Sequence, residues 1–499
     1  MPDGRPRADG VPHPVLVYAD RIVSRDVNAS GDIVIERERD GARRRFDFLP
    51  DGNRDRDAMA RFLGRSPGRA VRVYDQAGQR DLTVPTPARG PIIDTGDGGG
   101  AGLMFDNGGA FQGNPTAYGR PYYAVALKAE TPPLDLAHGV TLVLRLRVAH
   151  EASITGGELL SLGHDRPFEL VLFAGDPDPK RDPASALDMT MANARFTPLA
   201  PPLPSTIETF ALAVDAHGFT AGTEGRLRSV DRNVAGNVAW HDLLLGTTAP
   251  GAGEGWELLS MMLFDRRLTD EQLTTAMRTA STAKHGNPGP TIVLDGSSVE
   301  AGVGSIGLRN LTRLYERAFP DATIYNVAVG GATSADRVAA LPSTLNIFGH
   351  EEGRGVLICG AGANSLARGV SAADVHRDME KYVSIARSRV PGLLIGVSTI
   401  IPLAIGFETG SGPQFRLYND LLRRDRAGAD FLIDRAADPI MGDPKTIVPI
   451  VDRRYSTDGA HPTELGYRRL VAIDTTAIRD ALGIARTGRN TNDVAGRSH

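Results

Sequence analysis

The run Ser456-Thr457-Asp458-Gly459-Ala460-His461-Pro462 sets a carboxylate and an imidazole three residues apart, directly before the helix-start pattern Thr463-Glu464-Leu465-Gly466. An imidazole whose far nitrogen is held by a carboxylate can take a proton from a hydroxyl, so this pair calls for a serine elsewhere in the chain. The run Thr291-Ile292-Val293-Leu294-Asp295-Gly296-Ser297-Ser298 supplies one. A short apolar strand there enters a turn bounded by Gly296 and Gly302, a shape that presents a hydroxyl at a strand's carboxyl end. Ser298 is the candidate nucleophile, His461 its base and Asp458 the acid that orients the base. Acyl transfer is the chemistry these three residue types perform together.

Two further segments, Ile324 to Ser334 and Val356 to Ser365, repeat the pattern of strand followed by glycine turn. Taken singly, each segment has an ordinary reading: a turn, a loop, a capping asparagine, or a helix N-terminus capped by Thr463 or Asp458. In this order the four segments resemble the blocks of the SGNH (GDSL-type) hydrolases, a family of esterases and lipases with a flavodoxin-like α/β/α three-layer fold and a parallel sheet. The resemblance spans Pro290 to about Leu482. It places Ser298 at the nucleophile, Gly331 at the glycine of the second block, Asn364 at the asparagine of the third, and Asp458 and His461 in the last. It implies an oxyanion hole made by the backbone N–H groups of Ser298 and Gly331 and the side-chain amide of Asn364. Two positions depart from the pattern: Gly296-Ser297-Ser298 stands where the family has Gly-Asp-Ser, and Ser365 follows Asn364 where the family has aspartate. The four-residue step from Ser298 to Gly302 selects Ser298 over its neighbour Ser297.

The elements needed to hold these groups are legible as two grammars. Beyond the Gly/Pro-rich stretch Lys284-His285-Gly286-Asn287-Pro288-Gly289-Pro290, apolar runs at 291–295, 323–329, 355–359, 393–399 and 430–434 alternate with helical patterns and predict buried parallel strands. One predicted helix carries Val375, Met379, Tyr382, Val383 and Ala386 on a single face, a core stripe. Before the boundary, Val140 to Val148 alternates at period two with Leu142, Leu144, Leu146 and Val148 facing one way, and Glu158–Leu162 and Phe168–Phe173 follow as short strands. A strand at Glu257–Phe264 then leads to a helix with Thr269 and Gln272 at capping-box spacing, an ending that resembles concanavalin-A-like, laminin-G-like domains. The stretches Asp57–Gly64 and Val73–Gly78 resemble the opening of jelly-roll domains of the arabinofuranosidase B type. The fold expected is therefore multidomain: a flexible start over 1–13, an all-β jelly-roll sandwich over 14–285, an SGNH hydrolase domain over 286–485 and a polar tail over 486–499.

Composition narrows the chemistry further. A net charge of −4 with interspersed signs and no basic tract argues against nucleic acid as a partner. The single cysteine, Cys359, lies in an apolar run and reads as a buried small hydrophobe. No Cys/His cluster has metal-ligand spacing, so neither metal nor other cofactor is expected. No run is long enough to span a membrane, and Met1 to Gly10 lacks the apolar centre of a signal peptide. That start points to the cytoplasm by default, and a polysaccharide substrate would instead place the protein outside the cell or on its surface. His285, His350 and His376 read as surface or loop histidines. Asp295 and Glu300 read as local hydrogen-bonding or solvated groups. Phe111, Tyr118, Tyr122, Tyr123 and Trp240 are either sugar-stacking or core aromatics.

The reading is a serine esterase that removes acyl groups, chiefly acetyl, from a carbohydrate. Two alternatives stay open: an esterase, lipase or thioesterase acting on small or lipid acyl substrates, and a glycan-binding or structural protein with an inactive hydrolase-like domain. Spacing alone makes one outcome specific. Ser298→Ala is expected to abolish ester hydrolysis with the fold intact, and Ser297→Ala to do far less; steady-state rates beside circular dichroism check this, and the reverse ranking would show the block alignment to be wrong.

Overall fold

The computed structural model describes residues 11–484 apart from 21, 23–31, 51, 65, 78–79, 87, 94–101, 106–124, 149–156, 164–167, 174–185, 192–193, 197–207, 224–225, 232–238, 248–255, 281–288, 304–310, 350–353, 404–409, 443–453 and 457. Two bodies of different grammar result, an antiparallel β unit and a parallel α/β unit.

In the first, the period-two strand Val140–Val148 pairs antiparallel with Glu208–Asp215 on one side and Trp256–Phe264 on the other. That ladder continues through Gly218–Thr223 to Arg226–Asp231 at one end and through Leu16–Ala19 at the other. A second ladder runs from Val125–Asp135 through Ala239–Thr247, Gly157–Leu162 and Phe168–Phe173 to Ala186–Met191. Leu142, Leu144 and Leu146 from the first ladder share one core with Leu127, Leu160, Leu162, Leu243 and Leu245 from the second. Val143, on the opposite face of the same strand, packs with Leu273, Ala276 and Met277 of the helix Asp270–Ala280. Alternate residues thus enter separate cores, as a pleated strand requires. The expected capping box is formed: Gln272 Oε1 accepts from the Thr269 N–H at 3.1 Å, and Thr269 Oγ1 accepts from the Gln272 N–H at 3.3 Å. Trp240 is 2% exposed and belongs to the core, so it offers no stacking face. Phe111, Tyr118, Tyr122 and Tyr123, the stretch 284–288 of the expected boundary, the tail from 485 and the side chain of Val148 lie outside what the structure describes.

The second unit is a five-stranded parallel sheet. Its strands are β1 (Thr291–Asp295), β2 (Thr323–Asn326), β3 (Gly355–Cys359), β4 (Leu394–Ser398) and β5 (Phe431–Ile433), in the order β2-β1-β3-β4-β5. All five apolar runs read from the sequence are these strands. The helices are α1 (Leu311–Ala318), α2 (Ser334–Leu345), α3 (Ala363–Ala367), α4 (Ala372–Arg389), α5 (Gly412–Asp425) and α6 (Glu464–Leu482). Helices α2, α4 and α5 pack in sequence against one another, and α1 packs against α6. The stripe Val375, Met379, Tyr382, Val383 and Ala386 on α4 is buried, and Cys359 is buried at the end of β3. The chain switches direction across the sheet between β1 and β3, so the loops after β1, β2 and β3 diverge around a crevice at the carboxyl ends of the strands.

A buried ionic cluster joins the two units. Glu257, on the strand Trp256–Phe264, accepts from the Gly102 N–H at 3.1 Å, contacts Arg147 closely, and lies 3.4 Å from Arg313 of α1. Arg147 in turn grips Glu316 of α1 with Nε at 3.0 Å and Nη2 at 2.7 Å. Burial alone would raise the Glu257 carboxyl, but the Arg147 and Arg313 guanidinium groups beside it hold it below the usual carboxylate range. Removing Glu257 would take away the carboxylate that the buried Arg147 and Arg313 share. Glu257→Ala is accordingly expected to destabilise the full chain by about 3–5 kcal/mol, measured by urea unfolding, whereas truncating the exposed Glu36–Arg43 pair should cost under about 1 kcal/mol.

Candidate active site

The serine turn leaves β1 through Gly296, whose φ of +148° favours glycine, and closes at Gly302, φ +85°. Within it Ser297 is 2% exposed, whereas Ser298 is half-buried. Among the described residues no hydrogen bond engages the Ser298 hydroxyl or its N–H, and the Ser298 carbonyl accepts from Val303 N at 2.9 Å. The turn is therefore braced through its carbonyl.

The loops after β2 and β3 are laced to this turn and to each other. Val329 N donates to Gly296 O at 3.2 Å, Gly360 N to Asp295 O at 3.0 Å, and Asn326 Nδ2 to Glu300 O at 3.0 Å. Gly331 is exposed with φ +79° and open space where a Cβ would stand. Its carbonyl accepts from Arg368 Nη2 at 3.1 Å. Asn364, half-buried in the first turn of α3, donates one amide hydrogen to Ala332 O at 3.0 Å and retains the second. Ser365, the departure from the family pattern, is buried and accepts from the Ser334 N–H at 2.9 Å, while the Ser334 hydroxyl donates to Asp378 Oδ2 at 2.6 Å. The serine thus joins the start of α2 to the start of α3.

Asp458 and His461 form their own small turn. Asp458 Oδ1 accepts from the backbone N–H groups of Ala460 at 2.9 Å and His461 at 2.7 Å, and Oδ2 meets His461 Nδ1 at 2.6 Å. Burial would raise this carboxyl, but the hydrogen bond and positive field of the His461 ring, with the two backbone donors, hold it below the usual carboxylate range. Thr463 caps α6 immediately afterwards through Gly466 N at 3.3 Å. The capping reading of this segment holds at Thr463, whereas Asp458 spends one oxygen on the amides of its own turn and the other on the imidazole. The loop is tied to the serine turn from behind: Tyr467 of α6, fully buried, donates its hydroxyl to Val303 O at 2.7 Å, across 164 residues of sequence.

Three expectations change. Asp295 is completely buried: its Oδ1 accepts from Gly296 N at 2.7 Å and Arg337 Nε at 2.6 Å, and its Oδ2 from the Tyr382 hydroxyl at 2.7 Å. Glu300 is 3% exposed and holds Arg435 and the Ser297 N–H, so neither acid is solvated and both reach far beyond local partners. His376 is a buried helix residue whose Nε2 lies 2.7 Å from Asp425, not a surface histidine, and His285 and His350 lie outside the described residues. Arg368, Tyr467 and Arg435 had no local sequence signal, since each acts on a residue distant in the chain. No group of His, Cys, Asp and Glu suited to a metal ion occurs among the described residues, and no described helix is long and apolar enough to cross a membrane.

A strand-end serine turn, two neighbouring glycine and asparagine loops and a carboxylate-held imidazole on one α/β sheet define an acyl-hydrolase class of domain. Residues 295–469 match the GDSL-like lipase/acylhydrolase family, and this part of the chain is a GDSL-like lipase/acylhydrolase domain, an ester hydrolase. No curated protein matches the chain. Among solved structures it is similar to a GH54 α-L-arabinofuranosidase, with 14% identity over 56% of this chain and 67% of that one and a TM-score of 0.40. It is similar also to a member of the lipolytic G-D-S-L family from Veillonella parvula, with 14% identity over 38% of this chain and 97% of that one and a TM-score of 0.31. A third likeness is to the psychrotrophic esterase EstA from Pseudoalteromonas sp., with 16% identity over 39% of this chain and 99% of that one and a TM-score of 0.31.

The lowered Asp458 carboxyl carries a sign. Its pairing contributes stability above the ordinary carboxylate value and loses it only as pH falls through the lowered one, so the pair survives mild acid near about pH 5. His461→Ala is expected to abolish hydrolysis. Asp458→Asn should leave measurable activity, with kcat reduced by up to about 10⁴-fold and KM little changed; steady-state kinetics on p-nitrophenyl acetate from pH 5 to 9 measure both.

Proposed function

We propose that the protein is a serine esterase that hydrolyses acyl esters, chiefly acetyl, on a carbohydrate. The observation that carries the catalytic part is the 2.6 Å contact between Asp458 Oδ2 and His461 Nδ1, which directs Nε2 away from the acid as the proton acceptor. In this reading Ser298 Oγ attacks the ester carbonyl while His461 Nε2 takes its proton, and Asp458 stabilises the imidazolium that forms. The carbonyl oxygen, now anionic, is met by the N–H groups of Ser298 and Gly331 and by the second amide hydrogen of Asn364. His461 returns the proton to the departing alcohol, leaving an acyl group on Ser298. Water, deprotonated by the same imidazole, then releases the acid and restores the serine. Every charge that develops is met by this chain's own groups.

The carbohydrate part rests on the attached antiparallel β unit, over an expected 14–285, as the element that brings a glycan to the serine. A second reading has its own observation. At the carboxyl ends of β4 and β5 a cavity of about 280 Å³ is lined by Ile400, Pro402, Leu403 and Phe415 together with the polar Arg416, Asn419, Asp420 and Arg423, and its apolar part suits an acyl chain longer than acetyl. Acetate release from acetylated polysaccharides, set beside p-nitrophenyl esters from acetyl to palmitoyl, separates the two. The carbohydrate reading expects acetate from at least one polysaccharide and a rate that falls with chain length; a maximum at long acyl chains with no acetate release would replace it by the lipid reading. Failure of a fluorophosphonate to label the intact protein would favour a non-catalytic role.

A further inference from the structure

Several buried ionisable groups take no part in the proposed reaction. Beneath the serine turn, Glu300, Arg435, Asp474 and Tyr315 form a connected cluster, all nearly inaccessible to solvent. Arg435 binds Glu300 through Nη1 and grips Asp474 of α6 with Nε at 2.9 Å and Nη2 at 2.7 Å, and the Tyr315 hydroxyl donates to the same aspartate. Glu300 also accepts from the Ser297 N–H at 3.2 Å, one residue before the proposed nucleophile. The seat for its side chain is cut in glycine, because a Cβ at Gly296 would meet Glu300 Cγ and one at Gly360 would collide with its carboxylate.

A packing role does not account for this choice. Two carboxylates share one guanidinium in a site without water access, and burial pushes the Glu300 carboxyl up from its usual range even with Arg435 beside it. An apolar side chain of similar volume would fill the same space without that desolvation cost. What the ionic cluster supplies is direction. It fixes the serine turn to α6, and α6 begins three residues after His461. The Tyr467 bond to Val303 O ties the far end of the same turn to the same helix.

We propose that Glu300 is a positioning residue that sets the register of Ser298 against His461, acting through Arg435 and Asp474. This rests on Ser298 being the nucleophile. Displacing the serine by about 1 Å costs on the order of 10²-fold in rate, while a substrate's binding contacts need not change. Glu300→Gln in the full-length protein is therefore expected to lower kcat on p-nitrophenyl acetate by about 10–100-fold with KM within about twofold, and to slow fluorophosphonate labelling of Ser298 by a similar factor. Gly360→Ala displaces the carboxylate without removing its charge, and is expected to reduce kcat likewise. Adding Glu300→Asp to it, a shorter acid that frees the space, should recover at least about fivefold.

The Gly360→Ala pair decides the matter if Glu300→Gln does not fold. A folded Glu300→Gln or Gly360→Ala variant with wild-type kcat overturns the proposal, as does a loss of rate that merely follows the unfolded fraction at the assay temperature, or a double variant that recovers nothing. Hydrolysis that survives Ser298→Ala would sink the nucleophile reading first. Serine-dependent hydrolysis indifferent to Glu300 would sink only this inference.

Discussion

Charge taken out of water must be met by charge or by directed hydrogen bonds, and this α/β unit is organised around that constraint at the carboxyl end of its sheet. Asp295 ends the first strand inside the protein and is held by Arg337 and Tyr382. Glu300, five positions on, is held by Arg435. Because the desolvation of each acid is tolerable only with its partner in place, the helices that deliver Arg337 and Tyr382, and the turn that delivers Arg435, have little freedom to shift. Burial also keeps the Tyr382 and Tyr315 phenols protonated, so they remain donors to Asp295 and Asp474. The acid before the serine turn and the acid within it are thus both committed to partners elsewhere in the fold.

What the sequence makes legible is whatever is encoded within one element. Period-two alternation in Val140–Val148 and the helical stripe on α4 state which faces are buried, and both are found so. The five parallel strands announce themselves as apolar runs bounded by glycine and proline. The strand-end serine turn and the Asp458–His461 turn are equally local. Glu300 and Arg435 are not, since each takes its meaning from the other across 135 residues. A lone glutamate in a turn is ordinarily solvated, and a chain read residue by residue has no term for the guanidinium that removes it from water. Trp240 is ambiguous in the sequence for the same reason: whether an aromatic on a strand faces a core or a ligand is decided by the opposite layer.

A second Asp-x-x-His in the chain shows how far a local motif can be trusted. Asp135 and His138 reproduce much of the geometry of Asp458 and His461: the backbone N–H of His138 donates to Asp135 Oδ1 at 2.8 Å, and its Nδ1 lies 2.9 Å from the same oxygen. The turn is thus a stable way to fold this tetrapeptide, whatever it is used for. At 135–138 it joins two strands of the β unit, with the His138 carbonyl accepting from Arg267 N at 3.1 Å. What differs is the anchoring: the helix that follows Asp458–His461 is tied to the serine turn by Tyr467 and by the Glu300–Arg435–Asp474 contacts.

The same turn also fixes an order of assembly. The acid and the imidazole are three residues apart, and closing so short a loop costs the chain little entropy. Their contact belongs to the fast, local events of folding. The tie from Tyr467 to Val303 spans 164 residues and cannot form until the sheet between them has been laid down. In a partly folded chain the carboxylate–imidazole turn can therefore form before α6 is tied to the serine turn.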